Sequence, residues 1–366
     1  MTRKNSVPSA LPEVGANFVL DDKVVECLPK GTRVLEAVTW GTSAWTNTAK
    51  VITELDDGTR KVYFLKCSTY PDEMMEGEFT SITAIYNLMP SFAPKPCGRG
   101  KFTTLTSSGA LEQVYFFIME FLDIKITMPE PARFCRLVSE MHHKSVSPTG
   151  MFGFEVPTCH GKNMQPNSWT PSWRACFTEL ITKFFDEEIK VNGPWPEYEK
   201  AFESLTTKVI PHLLDPLQAK GRTLKPCLIH GDLWEENTGV DIETGHPVVF
   251  DASCFYAHNE YELGMWRREI IRFGQPYFRH YMLRFPPSEP TEQWDDRNRL
   301  YSLVFNISHS SHFPGAANSR NIVYNDLCYL INTYCTDTTD GTASAAVSEM
   351  VGTPIKAAST AVAQVV

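Results

Sequence analysis

Several patterns are missing from the sequence, and each absence removes a class of protein. The ten cysteines form neither a CxxC pair nor a Cys/His cluster with zinc-site spacing. No apolar run approaches the roughly 20 residues of a membrane span, and the opening MTRKNSVPSALPEVG lacks the apolar segment of a secretory signal. Acidic residues exceed basic ones, 43 to 34, which disfavours a general nucleic-acid binder. We therefore expect a cytoplasmic protein with mostly reduced, buried thiols and no membrane or nucleic-acid partner.

Aromatic residues are absent after Tyr334, where the chain becomes rich in Ala, Thr, Ser and Val. This composition predicts a mobile low-complexity tail over residues 336–366. Residues 1–20, rich in Pro, Ser and Ala, are expected to form a flexible leader. The rest has ordinary globular composition, since the whole chain is 42% apolar and 21% charged. We divide it into an N-terminal lobe over 21–122 and a C-terminal lobe over 123–335.

The spacing of apolar residues differs between these two lobes. In the first, AKVITEL and KVYFLKC alternate like strands around the turn DDGTR, MMEGEFTSITAIYNLM has a helical period, and QVYFFIMEFLDI is typical of a buried strand. The second contains long helical segments such as SWRACFTELITKFFDEEI and WPEYEKAFESLTTKVIPHLLDPL, interrupted by the short strands PCLIHG and HPVVFDAS. The sequence predicts an α+β fold with a small β-rich N-terminal lobe and a larger, mainly helical C-terminal lobe.

The segment HGDLWEEN lies between those two short strands. His230, Asp232, Leu233 and Asn237 match H-x-D-L-x-x-x-N, the catalytic-loop pattern of protein kinases, with Gly in place of Arg. In that pattern the Asp accepts a proton from, or orients, a substrate hydroxyl, and the Asn holds Mg²⁺ beside the nucleotide phosphates. A surface turn with a helix cap is the alternative, and the motif alone does not decide between them.

Residues far from this loop favour the catalytic interpretation. Asp251 ends the strand PVVF, where kinase-like folds place a metal-binding carboxylate, although AS follows it instead of FG. Lys66 ends KVYFLK, like the lysine of V-A-I-K. Glu78, on the helix that follows, is the expected partner of Lys66, because it shares a helix face with apolar residues, whereas the competing Glu76 does not. The structural alternatives are a strand-end cap for Asp251 and a solvated strand edge for Lys66.

Two further segments are candidates for nucleotide binding. TWGTSAWTNTA is a poor glycine-rich loop with one Gly, but phosphates are held by backbone N–H groups more than by glycine itself. IMEFLD is the expected hinge, whose backbone groups would meet the adenine edge, although a buried strand could simply end there. The predicted nucleotide-contacting residues are Gly41, Thr42, Ser43, Glu120, Phe121 and Leu122.

Taken together, these segments resemble the fructosamine kinase (ketosamine-3-kinase) family. The main matches are LIHGDLWEEN and PVVFDASCFYAHNEYELGMW, with FLK, MMEGEFTSI, FIMEFLD and HHKSVSPTGMFGFEVPTCHG in support, and the resemblance covers roughly residues 24–330. HGD alone is shared with aminoglycoside and choline kinases. The resemblance implies a protein-kinase-like, aminoglycoside-phosphotransferase fold. It also implies ATP- and Mg²⁺-dependent phosphorylation of the 3-hydroxyl of ketosamines, on small molecules or glycated proteins, which leads to deglycation.

By position, the resemblance implies a role for each polar residue. Asp232 is the catalytic base, Asn237 and Asp251 bind magnesium, Lys66 binds phosphate, and Glu78 positions Lys66.

Substrate contacts are less sharply defined by the sequence. Trp234 is expected at the substrate mouth, with an anchor packed into the core as an equal alternative. His230, His258 and Glu260 are the other candidates, although His258 and Glu260 also suit a bracing role after Asp251.

The sequence also departs from the family pattern. Glu235 and Glu236 replace the small residues usual after HGDLW, which would repel ATP or favour a cationic substrate. A choline- or aminoglycoside-kinase-like enzyme is one alternative function. The other is a nucleotide-binding pseudokinase, favoured by the degenerate loop and DFG segments but not by the five polar residues that remain. No sequence feature indicates an oligomeric state.

Overall fold

The computed structural model describes most of the chain between residues 14 and 335. The described residues are 14–41, 43, 45–106, 108–315 and 318–335. The predicted tail and most of the predicted leader therefore lie outside the described residues. All ten cysteines are within them, and six of the ten are buried. Their reduced state stays a prediction. No helix in this part of the chain is long and apolar enough to cross a membrane.

Strands dominate the first half of the described chain and helices the second. The strands are β1 (Arg33–Thr39), β2 (Asn47–Glu54), β3 (Arg60–Ser68), β4 (Pro96–Leu105), β5 (Leu111–Glu120), β6 (Ile124–Lys125), β7 (Thr158–His160), β8 (Asn163–Gln165), β9 (Cys227–Ile229), β10 (Thr238–Asp241), β11 (Pro247–Val249) and β12 (Phe255–Ala257). The α-helices are α1 (Asp22–Val25), α2 (Asp72–Leu88), α3 (Pro131–Lys144), α4 (Trp173–Asn192), α5 (Pro196–Ser204), α6 (Ile210–Leu214), α7 (Asn259–Trp266), α8 (Gln275–Met282), α9 (Trp294–His312) and α10 (Ser319–Tyr334).

Contacts divide the chain into two compact units, each built from separate stretches of sequence. The sheet unit comprises Met1–Leu137, Val156–Met164 and His230–Cys254. The helical unit comprises Val138–Glu155, Gln165–Ile229 and Phe255–Val366. The HGDLW segment thus belongs to the same unit as the N-terminal strands. The predicted boundary near Leu122 divides the chain at one position, whereas each of these units contains several stretches of sequence. That boundary stays a prediction.

The sheet unit is built on an antiparallel five-stranded sheet in the order β1-β2-β3-β5-β4. Its buried face follows from the alternation in the sequence, since Ala49 and Val51 on β2 and Phe116 and Ile118 on β5 are at most 1% exposed. The turn between β2 and β3 contains Gly58 at φ 80, a conformation that glycine adopts without strain. The strand and helix segments predicted here are confirmed, and β4 is an additional strand.

A smaller sheet in the same unit positions the predicted loop. β10 pairs with β11 and with β6 in the order β11-β10-β6. Thr238 lies opposite Val249, and the amide of Phe250 donates to the carbonyl of Asn237 at 3.1 Å. The residues that flank this hairpin, Asn237 and Asp251, are therefore held at the same end of it.

The helical unit packs around aromatic residues of α4, α7 and α9. Trp173, Tyr261 and Tyr301 are each at most 1% exposed, and the Trp173 indole donates to the Tyr301 hydroxyl at 2.9 Å. Gly264 permits α7 to approach α9 closely, because a Cβ there would lie 2.7 Å from the Cβ of Tyr301. Burial of these large rings stabilises this core.

One predicted helix is interrupted. The segment 195–217 forms α5, a π-helical turn at Leu205–Val209, then α6 and a 3₁₀ turn at Asp215–Gln218. Pro211 has no N–H and cannot donate to the turn before it, so the regular α-helical bonding is disturbed there. The prediction of one continuous helix over this segment was wrong, but the prediction that the segment is helical is confirmed.

Candidate active site

Lys66 contacts two carboxylates that lie far from it in the sequence. It lies near the end of the central strand β3 and is 5% exposed. Its Nζ is 2.7 and 2.9 Å from the two carboxylate oxygens of Glu78, on α2. The same Nζ is 3.0 Å from Oδ1 of Asp251, just after β11. The fold thus brings together a cation and two carboxylates as the sequence predicted.

The protonation of this cluster reflects a balance between burial and charge. Burial alone would lower the pKa of Lys66, but the charges of Asp251 and Glu78 outweigh it and raise the pKa above its ordinary value. Burial raises the pKa of Glu78 to about 8, against the opposing influence of Lys66. The Glu78 side chain is only 13% exposed, so burial disfavours its charged form. Lys66 is therefore an ammonium at neutral pH.

The choice between Glu76 and Glu78 is clear from their contacts. Glu76 points away from Lys66 and pairs with Arg99 at 3.3 Å, with 37% of its side chain exposed. Arg99 also contacts Asp72 in the first turn of the same helix, at 2.9 Å. The helical period of α2 thus directs Glu78 inward and Glu76 toward solvent.

Asp232 and Asn237 form the second cluster of the sheet unit. Asn237 ends the 3₁₀ turn Glu235–Asn237 and is 6% exposed. Its Nδ2 donates to Oδ2 of Asp232 at 3.0 Å and to the Asp232 carbonyl at 2.9 Å. The five-residue spacing therefore closes a tight loop in which the amide fixes one oxygen of the carboxylate.

Gly231 and His230 give this loop its shape. Gly231 has φ 83, and a Cβ there would lie 2.3 Å from the Ser253 carbonyl oxygen, so no other residue fits without movement. His230 is fully buried. Its Nδ1 accepts from the Asp232 amide at 3.3 Å, and its Nε2 lies 3.0 Å from the Phe250 carbonyl. His230 thus ties the loop to the segment that carries Asp251. Both of these contacts are internal, and substrate binding by His230 stays a prediction.

The helix α2 is fixed to the segment that follows Asp251. Ser81 on α2 accepts a hydrogen bond from the Cys254 amide at 2.9 Å and donates to the Gly77 carbonyl at 2.7 Å. Asp251 itself has φ 55, a left-handed conformation that Asp tolerates better than most residues. These contacts hold Glu78 and Asp251 in a constant relation to Lys66.

His160 is a site residue that the sequence argument did not identify. It lies on β7, is 9% exposed, and its Nε2 is 3.1 Å from Oδ1 of Asp232. The residues at the start of β7 pack directly on α2. A Cβ on Gly77 of α2 would lie only 2.5 Å from the carbonyl oxygen of Pro157. The tract PTCHG was part of the family resemblance, but no spacing rule connects it to HGDLW.

The predicted phosphate loop is only partly described. Gly41 has φ 76, and the Ser43 hydroxyl accepts from the Trp45 amide at 3.4 Å and contacts the Thr46 hydroxyl at 2.8 Å. Thr42 lies outside the described residues. Phosphate binding by this loop stays a prediction.

At the predicted hinge, two of the three amides are already engaged. The Glu120 amide donates to the Lys95 carbonyl at 2.8 Å, and the Phe121 amide donates to the Val62 carbonyl at 3.0 Å. A ligand at this edge would therefore use carbonyl oxygens here or the amide of Leu122. Nucleotide binding by Glu120, Phe121 and Leu122 stays a prediction in this narrower form.

Of the predicted substrate residues, Trp234 lies in the sheet unit, beside Asp232 in sequence. It is half-buried and precedes the 3₁₀ turn, where its carbonyl accepts from the Asn237 amide at 3.1 Å. Both expectations for Trp234, substrate contact and loop anchor, stay open.

His258 and Glu260 lie in the helical unit and are buried. Glu260 pairs with Arg297 at 2.8 and 3.0 Å, and His258 contacts the hydroxyls of Tyr301 and Ser288, both at 2.9 Å. Burial lowers the pKa of His258 to about 4, so the ring is neutral. These contacts lie within the helical unit, and both roles predicted for His258 and Glu260, bracing and substrate binding, stay predictions.

Comparison with solved structures defines the fold class. A candidate fructosamine-3-kinase from Thermobifida fusca matches with a TM-score of 0.64 at 22% identity, over 85% of this chain and 98% of that one. A complex of gentamicin with APH(2")-IIa, an aminoglycoside phosphotransferase, matches with a TM-score of 0.52 at 13% identity, over 86% of this chain and 97% of that one. The predicted α+β, protein-kinase-like fold is confirmed.

Sequence comparison then gives the family. The model for fructosamine kinase matches residues 39–325, and the chain belongs to the fructosamine kinase family. A chloroplastic protein-ribulosamine 3-kinase from Oryza sativa subsp. indica is 30% identical over 66% of this chain, and the chain spans only 64% of that relative. Ketosamine-3-kinase from Mus musculus is 28% identical over 69% of this chain and 83% of its own length.

Proposed function

We propose that the protein is an ATP-dependent kinase that phosphorylates the 3-hydroxyl of ketosamines and so starts their deglycation. The observation that carries this proposal is the joint placement of Lys66, Glu78 and Asp251 beside an Asp232–Asn237 loop in one compact unit. Membership of the fructosamine kinase family supports the acceptor class. The acceptor is a fructosamine or ribulosamine, free or attached to a protein.

The cation and phosphate contacts follow from the same side chains. Asn237 directs its amide nitrogen at Asp232, which leaves the amide oxygen for a cation. Asp251 is 42% exposed, so its carboxylate is accessible beside that oxygen donor. Mg²⁺ binds nucleotides with few protein oxygens and several phosphate oxygens, and these two residues fit that pattern. When bound, the ion neutralises charge on the phosphates, and Lys66 would contact the same phosphates, oriented by Glu78.

Asp232 performs the proton transfer. The 3-hydroxyl oxygen of the ketosamine bonds to the γ-phosphorus of ATP, the bond from that phosphorus to the ADP oxygen breaks, and the hydroxyl proton passes to Asp232. Asn237 holds Oδ2 of Asp232 at 3.0 Å, which keeps the carboxylate oriented during this step. ADP and the ketosamine 3-phosphate are the products.

Two acidic residues near the loop are consistent with a basic acceptor. Glu235 is partly exposed and Glu236 is exposed, directly after Trp234. A ketosamine carries a secondary ammonium, which carboxylates attract and which an indole face can also contact. The substrate side of the proposal therefore places the sugar near Trp234 and the amine toward Glu235 and Glu236.

The experiment is an acceptor panel with ATP, followed by Asp232→Asn. We expect phosphate transfer to synthetic fructose- and ribulose-lysine, with mass spectrometry locating the phosphate on the 3-hydroxyl. Asp232→Asn should lower kcat about 100- to 10,000-fold, because the amide cannot accept the proton. Asp186→Asn, a matched change on an exposed helical position, should leave kcat unchanged.

Other outcomes have definite meanings. Transfer to choline or an aminoglycoside but to no ketosamine would replace the acceptor class and keep the site. Nucleotide binding with no transfer to any acceptor would point to a pseudokinase and overturn the enzymatic proposal. Unchanged turnover in Asp232→Asn would overturn the role of Asp232 alone.

A further inference from the structure

Both carboxylate oxygens of Asp232 lie close to a nitrogen. The Asn237 contact is a hydrogen bond, whereas the His160 contact is short but not aligned as a hydrogen bond, and the loop motif does not explain it. Asn237 Nδ2 donates to Oδ2 at 3.0 Å, and His160 Nε2 is 3.1 Å from Oδ1. His160 reaches this position from β7, about 70 residues before the loop, and is 9% exposed. Its ring is therefore largely removed from solvent at the point of contact.

The backbone around His160 is tightly fixed. A Cβ on Gly77 would lie 2.5 Å from the Pro157 carbonyl oxygen and 2.9 Å from Cα of Thr158, so α2 and this strand are in backbone contact. The Thr158 hydroxyl donates to the Cys254 carbonyl at 3.2 Å. One strand thus contacts both the helix that carries Glu78 and the segment after Asp251. Such a placement suits a side chain that must hold a constant position.

The turn after β7 also reaches the predicted phosphate loop. Lys162 Nζ lies 4.5 Å from the centre of the Trp45 ring, a cation–π distance. The Trp45 carbonyl in turn accepts from the Ser68 hydroxyl at 3.2 Å, at the end of β3. The short segment from His160 to Lys162 therefore contacts residues on both sides of the proposed phosphoryl-transfer site.

We propose that His160 is a positioning residue for Asp232: a small rotation of its ring, from the 3.1 Å contact seen here, lets Nε2 donate to Oδ1 and so fix the plane of the carboxylate that accepts the hydroxyl proton. A carboxylate held at one oxygen can rotate about its Cβ–Cγ bond, whereas two donors leave one orientation. This inference rests on the proposed function of Asp232.

The kinetic test compares His160→Ala with His160→Gln. His160→Ala should lower kcat about 10- to 100-fold, by analogy with removal of a residue that orients a metal ligand. The KM for ATP should stay within about twofold, because ground-state nucleotide binding does not use this contact. His160→Gln keeps an N–H donor near the position of Nε2 and should recover most of the lost kcat. Met164→Ala, at a 41% exposed position near the same turn, should behave like the wild type.

Two kinetic results would overturn the assignment. One is an unchanged kcat in His160→Ala. The other is equal loss of kcat in His160→Ala and His160→Gln, which would indicate a packing role, with thermal melting showing whether the fold is intact.

A measurement without turnover separates this inference from the proposed function. In ¹⁵N-histidine NMR spectra, the His160 signals, assigned by their loss in His160→Gln, should show hydrogen on Nε2 and should shift in Asp232→Asn. If the wild type phosphorylates no acceptor, the proposed function fails, and these spectra still test the contact. The contact itself would be overturned if Nε2 carried no hydrogen, or if the His160 chemical shifts were the same in the wild type and in Asp232→Asn.

Discussion

Lys66 contacts two carboxylates that differ in burial and therefore in their expected roles. Glu78 is almost enclosed and receives two contacts from the ammonium, while Asp251 is more exposed and receives one. A buried carboxylate with both oxygens on a lysine is suited to orienting it. An exposed carboxylate beside the same lysine is suited to meeting a cation from solvent.

Glu78→Gln tests the orienting role. The substitution keeps the size of the side chain and replaces one of the two oxygens that contact the Lys66 ammonium by an NH₂ group, which cannot accept from it. We expect kcat/KM for ATP to fall about 10- to 100-fold. The fold should be retained, because burial already raises the pKa of Glu78 to about 8 and a neutral side chain is tolerated there. Steady-state kinetics with circular dichroism would measure both effects.

Glu76→Gln is the matched control. Glu76 lies on the same helix and pairs with Arg99 at the surface, so its neutralisation should leave kcat/KM within about twofold of the wild type. A larger loss in Glu76→Gln than in Glu78→Gln would reverse the assignment of the lysine partner.

The loop between β9 and β10 depends on a backbone conformation that only one of its residues can supply. Gly231 combines φ 83 with a Cβ position 2.3 Å from the Ser253 carbonyl oxygen. Gly231→Ala should therefore destabilise the protein by about 3 kcal/mol or more and displace Asp232, with loss of activity. Urea unfolding and the turnover assay would measure the two effects.

Gly58→Ala separates the steric contact from the backbone strain. Gly58 has φ 80 in the turn between β2 and β3, and nothing lies within 4 Å of its Cβ position. This variant should lose only about 1 kcal/mol, the cost of the left-handed conformation alone. Equal losses of unfolding free energy in Gly231→Ala and Gly58→Ala would show that the backbone near Ser253 moves to accommodate the new Cβ at little cost.

The stability of the folded chain should depend on pH through His258. Burial lowers the pKa of His258 to about 4 from its ordinary value of 6.5, so the unfolded chain binds the proton more readily in that window. Its contribution is complete above pH 6.5 and is lost as pH falls toward 4. Between pH 7 and pH 5 the loss should be about 2 kcal/mol. Unfolding curves over this range would show it.

His258→Gln should remove most of this dependence, at the cost of lower stability at pH 7. His246→Gln changes an exposed histidine and should leave the wild-type slope unchanged. If His258→Gln keeps the wild-type slope, another group is responsible for the acid sensitivity of the fold.

Periodicity in the sequence was sufficient for the elements with one clearly apolar face. It predicted β2, β3 and α2, because burial repeats there at two or at about 3.6 residues. It did not predict β4, an edge strand whose PCGRGKFTTL has two glycines and little buried surface. The helix broken near Pro211 shows the other limit, since propensity alone does not say how a chain accommodates a missing donor.

The candidate site divides in the same way. Lys66, Glu78, Asp232, Asn237 and Asp251 follow spacings that local structure dictates, so a motif could identify them. His160 reaches Asp232 only through the packing of β7 on α2, which no spacing encodes. His258 and Glu260 lie in a family-like stretch, yet a buried network with Arg297 surrounds them, and the sequence does not distinguish a brace from a ligand.

The sharing of one ammonium between Glu78 and Asp251 has a thermodynamic consequence. A cation that arrives at Asp251 competes with Lys66 for the same carboxylate, and an anion that draws Lys66 away relieves this competition. Cation affinity and anion affinity at this cluster are therefore reciprocally coupled, each raising the other by the same factor. Under the proposed function, the metal ion and the nucleotide should accordingly bind as a cooperative pair, with each weakly held when offered alone, and titration of each ligand with and without the other would measure this.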